Sequence, residues 1–151
     1  MKQDRYPYYA AKSFFDFEFE SLGPNGRIRK IATFIQINQD IFSFGFGDLD
    51  ERTGEISDTV ISNNGDGPKV LNTVGAIIFD FTAVFREARI YVEGSTPSRT
   101  RWYQMNLTAF YEEINNSFMI YGNRNNKWEP FQSGVNYMAF LGQRRPIPLY
   151  Q

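Results

Sequence analysis

The spacing of apolar residues first changes period at Pro68, and that change constrains the fold more than any other feature. Upstream, residues 13–20 alternate strictly, with Phe15, Phe17 and Phe19 on one side and Asp16, Glu18 and Glu20 on the other. A period of two with one apolar side describes a strand with one buried face. Downstream, Val70, Leu71, Val74, Ile77, Ile78, Phe81 and Phe85 recur at the 3.6-residue spacing of an amphipathic helix. A chain that opens with one-sided strands and then supplies a one-sided helix has to pack the helix over the sheet.

The strands can be placed from turn residues. Residues 22–26, Leu-Gly-Pro-Asn-Gly, form a turn, and residues 27–37 resume alternation with Ile31, Thr33, Ile35 and Ile37 sharing a face. Pairing Phe19 with Ile31 and Phe17 with Thr33 sets Glu20 opposite Lys30, so apolar burial and charge point to one register. A third strand covers residues 41–47, with Phe42, Phe44 and Phe46 on one side. Gly45 and Gly47 on its other side mark bulges or a close approach of backbone. Residues 56–61 read as a short fourth strand. The first helix starts near Pro68 with Asp66 as N-cap, and Arg86 and Arg89 suit its C-terminal end.

Residues 90–93 form the next strand. A second helix is predicted from Pro97 to about Asn115, capped by Ser95 or Thr96, with Tyr103, Leu107, Phe110, Tyr111 and Ile114 on one stripe. Residues 117–122 and 127–131 read as a hairpin, and residues 136–143 as the last strand. The order ββββα then βαβββ predicts an α+β fold: a curved, mainly antiparallel sheet with two helices packed over one face. Residues 1–151 are read as a single domain, with 1–12 and 144–151 as loosely ordered tails.

Composition narrows function mainly by exclusion. The chain has no cysteine and no histidine, which removes disulfides, thiolate nucleophiles, Cys/His zinc sites and imidazole bases. It begins without a secretory h-region and contains no apolar run of membrane-spanning length, so a cytoplasmic, non-membrane protein is expected. The net charge is −1, but residues 1–80 carry 8 basic and 12 acidic side chains, while residues 81–151 carry 8 and 5. The second half therefore tolerates an anionic partner without the basic footprint of a duplex-DNA binder.

The most distinctive chemistry lies at the strand-to-helix turn, residues 94–101, Gly-Ser-Thr-Pro-Ser-Arg-Thr-Arg. Free N–H groups at a helix start, the hydroxyls of Ser95 and Thr96, and the guanidinium groups of Arg99 and Arg101 are suited to an anion. The same residues are equally those of an ordinary capped helix whose arginines are solvated or paired. Trp102 and Tyr103 add an aromatic surface for stacking, which makes single-stranded nucleic acid the leading anionic ligand. The alternative is a protein-interaction or self-assembly module that uses aromatic surface, including Trp102, Tyr6, Tyr8 and Tyr9. No catalytic residue, cofactor or metal ligand is assigned. In the loop 48–59, Arg52 stands at a ligand position of a calcium loop and Thr59 at its final glutamate, and the adjacent Glu112 and Glu113 form a solvated helix face rather than an acid–base pair.

The segments Phe46-Gly47-Asp48, 63–66, 69–74, Gly94-Ser95-Thr96, Arg99-Thr100-Arg101 and Tyr103-Gln104-Met105 resemble an uncharacterised family of Bacteroidota, over a span from about Phe17 to Gly142. The resemblance implies one domain in a bacterial cytoplasm. Because that family has no established activity, it implies no catalytic residue.

Overall fold

The computed structural model describes residues 4–57 and 64–146. Their strands and helices follow in the order β1 (Tyr9–Ala10), β2 (Asp16–Gly23), β3 (Gly26–Gln36), β4 (Ile41–Leu49), β5 (Ile56–Ser57), α1 (Gly67–Val84), β6 (Arg89–Val92), α2 (Pro97–Ala109), α3 (Tyr111–Asn115), β7 (Phe118–Arg124), β8 (Lys127–Pro130) and β9 (Ala139–Arg144). The fold is α+β, with an open, curved, mainly antiparallel sheet. The strand order is β1-β2-β3-β4-β6-β9-β7-β8, and β5 pairs with the far end of β4. One pairing is parallel, β4 with β6, and α1 makes the crossover between them. The predicted strand at 56–61 is β5 as far as Ser57, and its remainder lies outside the described residues.

The β2–β3 hairpin departs from the predicted register by one residue. Phe19 faces Lys30 and Phe17 faces Ala32, because the connection is only Pro24–Asn25 and closes on the pair Gly23 and Gly26. Gly26 takes φ +87°, a left-handed conformation that suits glycine. A one-residue slip turns every side chain over. The inward face of β3 is therefore Lys30, Ala32 and Phe34, while Ile35 and Ile37 are exposed. The outward glutamates still find cations, with Glu18 on Arg29 and Glu20 on Arg27.

Phe17, Phe19, Phe34, Phe42, Phe44 and Phe46 pave the inner face, and Val70, Val74, Ile77 and Phe81 of α1 cover it. Gly47, on the other side of β4, is a close approach: a Cβ there would lie 2.5 Å from the Ser57 carbonyl oxygen of β5. A second cluster, Phe118, Ile120, Phe131, Tyr137 and Phe140, lies under α2 and α3. Ile78 and Val92 border both clusters.

Asp66 does not act as the side-chain cap of α1. Its carboxylate instead accepts the hydroxyl protons of Tyr6 and Ser21, each at 2.5 Å. Asn64 completes this buried network by donating to Ser21 Oγ and to the Gly26 carbonyl, and by accepting from the Asn25 N–H. The residues 64–66 are thus a clamp on the β2–β3 turn.

The amino-terminal segment is not loose from Asp4 onward. Tyr6 is buried, its N–H donates to Thr73 Oγ1 at 2.8 Å, and Tyr9 and Ala10 pair with β2. At the other end Arg144 donates to Thr82 Oγ1 and the Phe79 carbonyl, and Arg145 donates to Asn115. Residues 144 and 145 therefore lock α1 and α3 to the sheet, and residues 147–151 lie outside the described part. Among the described residues, no helix is long and apolar enough to cross a membrane.

Candidate binding cavity

The turn after β6 is tied to itself. The Thr96 hydroxyl accepts the Arg99 N–H at 3.2 Å, and the Thr100 hydroxyl accepts the Gly94 N–H at 3.0 Å. Of the two expected caps, Ser95 and Thr96, it is Thr96 that serves as N-cap. Gly94 is needed for close packing, since a Cβ there would stand 2.3 Å from the Thr100 nitrogen.

Arg99 and Arg101 are two residues apart on a helix and so project to different sides. Arg99 is 3% exposed, with its guanidinium 5.7 Å from the ring centres of both Phe46 and Trp102. Arg101 and Ser95 are exposed. Trp102 is half-buried and stacks on Phe46 at 6.5 Å with planes 9° apart. Of the aromatic residues expected at a surface, Tyr6 is buried, Tyr8 is partly buried, and Tyr9 is exposed. Of the two arginines predicted to meet an anion, Arg101 is at the surface and Arg99 is buried.

The helix starting at this turn is shorter than its apolar stripe suggests. It breaks at Phe110, and α3 follows directly. Its amino-terminal half is held over β4 through Trp102 on Phe46. Its middle is held by Gln104, which donates to the Val135 carbonyl and accepts the Tyr137 N–H at 3.0 Å. Anchored there, α2 stands across the sheet from α1, and a cavity of about 660 Å³ lies between them.

Each wall of the cavity follows from local sequence. The floor is formed by inward side chains of adjacent strands, Phe44, Ile90, Val92, Ile120 and Phe140. One wall is the flank of α1 next to its core stripe, Leu71, Gly75, Ile78 and Phe79. The other is Tyr103, Asn106, Leu107 and Phe110, at the i, i+3, i+4, i+7 spacing of one helix face, continued by Ile114 of α3. Two glycines make the room: Gly75 in the α1 wall and Gly142 in the floor. A Cβ at Gly142 would meet only Ile120 Cδ1 within 4 Å, at 3.5 Å, which is ordinary contact.

Polar groups are few: besides Asn106 and the Tyr103 hydroxyl, they are Asn116, Ser117 and three charged side chains. Arg5, Asp80 and Glu113 are exposed and mark the mouth. At the same mouth Tyr8 donates to Asp80, and burial together with that carboxylate pushes the Tyr8 phenol up to about 12. Within the wall, the Asn106 amide nitrogen is sealed from water and has no hydrogen-bond partner among the described residues.

Tyr103 is the residue of the predicted aromatic surface that reaches this cavity. The other apolar residues that line it were legible only as core residues of helices and strands, because an apolar side chain facing a cavity has the same period as one facing a packed neighbour. Asn106 carries the available signal, an amide set between Tyr103, Leu107 and Phe110.

A family model described as a family of unknown function, DUF6934, matches residues 2–145. The chain belongs to this family. No curated protein and no solved structure matches it. The span shared with DUF6934 contains every residue that lines the cavity, so the cavity lies within the family's domain and not in an appended segment.

Proposed function

We propose that this DUF6934 protein is a binding domain that takes a small, largely apolar ligand between α1 and α2–α3. The observation that carries this reading is the cavity itself. Its volume of about 660 Å³ falls in the range of small-molecule sites, which are concave, mostly apolar and furnished with a few placed polar groups. The absence of cysteine fits a reducing bacterial cytoplasm as its setting, and the resemblance to a Bacteroidota family supports the same setting.

The test is titration with a neutral fluorescent apolar probe, 1-aminoanthracene, of the wild type and of Gly142→Leu. The leucine side chain extends from the floor into the space, so saturable one-site binding by the wild type should be lost in a variant that keeps its circular-dichroism spectrum. Equal binding by the two would overturn the reading.

An anionic ligand, single-stranded nucleic acid in particular, held by Ser95, Thr96, Arg99 and Arg101 is the weaker alternative. Thr96 is engaged as a cap and Arg99 lies under aromatic rings, which leaves Ser95 and Arg101 at the surface. Salt-sensitive binding of a labelled oligonucleotide that disappears in Arg101→Ala would restore it. The third reading, a protein-interaction or assembly module, has less aromatic surface to use once Tyr6 is buried and Trp102 is packed on Phe46.

A further inference from the structure

The apolar walls of the cavity would hold many molecules alike, so discrimination rests on the polar groups. Asn106 sits on the α2 wall one helical turn from both Tyr103 and Phe110, and its amide nitrogen is buried with no acceptor among the described residues. A carboxamide carries two N–H donors, and a donor left unpaired away from water weakens the empty fold. Turning that carboxamide toward the cavity lets an acceptor on a bound molecule satisfy it. The walls on either side are hydrocarbon and aromatic, so the rest of such a molecule has to be apolar.

The mouth adds a second constraint. Asp80 and Glu113 both line it, with Arg5 as the cation beside them. Among the described residues the mouth thus carries two carboxylates and one guanidinium, a balance that disfavours an anionic head group there. The volume of about 660 Å³ corresponds to roughly twenty water-sized groups at about 30 Å³ each, ample for a medium-length chain.

We propose that the cavity selects a neutral, elongated apolar molecule bearing one carbonyl, a ketone or an ester, which Asn106 holds by its amide N–H, and that it discriminates against the corresponding carboxylate. This rests on the reading of the cavity as a ligand site and adds the class of ligand.

The experiment is displacement of 1-aminoanthracene at neutral pH by octan-2-one, oct-1-ene and octanoate, in the wild type and in Asn106→Leu. In the wild type the ketone should displace the probe about tenfold more tightly than the alkene, the size of one net hydrogen bond, and octanoate should be the weakest. In Asn106→Leu the ketone and alkene should become equal while the alkene keeps its affinity. A second readout needs no variant: the Asn106 side-chain amide resonance of the wild type should move with octan-2-one and not with oct-1-ene.

A ketone preference that survives Asn106→Leu, an unmoved amide resonance, or octanoate binding as tightly as the ketone would overturn the assignment while leaving the cavity a ligand site. Failure of the probe to bind at all would remove both.

Discussion

The rings of Phe34 and Phe81 lie face to face, 3.9 Å between centres and 1° from parallel. Phe81 also contacts Phe42 edge-on at 5.2 Å and Phe85 at 4.8 Å, and it is fully buried. One side chain of α1 thus joins β3, β4 and the end of its own helix. Phe81→Ala should destabilise the protein by about 3–5 kcal/mol, the range for truncating a buried phenylalanine, read from the urea midpoint at unchanged slope.

Lys30 is buried on the inner face, where it pairs with Asp48 directly across the strand and lies 5.9 Å from the Phe46 ring centre. Asp48→Ala takes a carboxylate from a desolvated ammonium and should cost about 3 kcal/mol, whereas Lys30→Met, which removes the buried charge, should stay within about 1 kcal/mol of the wild type. Equal losses in the two variants, measured by chemical denaturation, would refute this account.

Gly94 and Gly142 make a matched pair. A methyl at Gly94 would meet backbone at 2.3 Å, whereas at Gly142 it would meet the end of the Ile120 side chain at 3.5 Å. Gly94→Ala should therefore destabilise by about 1–3 kcal/mol, as overpacking against a rigid neighbour does. Gly142→Ala should be close to neutral. Thermal unfolding of the two variants side by side tests the contrast.

Tyr8 and Tyr91 are each pushed up to about 12 from an ordinary value of 10.0, first by burial and then by donating to Asp80 and Glu93. A phenol raised by folding favours its protonated form in the native state. Its contribution is complete below the unfolded value and is lost as pH climbs through the folded one. Stability should therefore fall between about pH 10 and 12. Phenolate absorbance should show late-titrating groups, one fewer of them in Tyr8→Phe.

Much of the architecture was legible because it is local. Alternation placed Phe17, Phe19, Phe42, Phe44 and Phe46 inward, and the 3.6 spacing found α1 with its buried Val70, Val74, Ile77 and Phe81. Hydroxyl chemistry narrowed the cap of α2 to Ser95 or Thr96, and the structure has Thr96. In β3 the same kind of reasoning chose the wrong face. Ile31, Thr33, Ile35 and Ile37 were as acceptable an inner set as Lys30, Ala32 and Phe34, and the lysine argued against the true one. A buried lysine is tolerable only where a carboxylate from another strand meets it, and period carries no information about that strand.

The sequence by itself determined the element types, the apolar side of most elements and the absence of cysteine and histidine chemistry, since these depend on residue identity and on spacing within a few turns or strand pairs. Only the tertiary structure decided the β2–β3 register, the parallel pairing of β4 with β6, the burial of Arg99 beneath Trp102, and the distance kept between α1 and α2. Each depends on contacts between residues remote in the chain. The cavity belongs to this second group, because it is produced by how far apart two helices are held, by Gln104 on one side and Arg144 on the other, and no single segment encodes that gap.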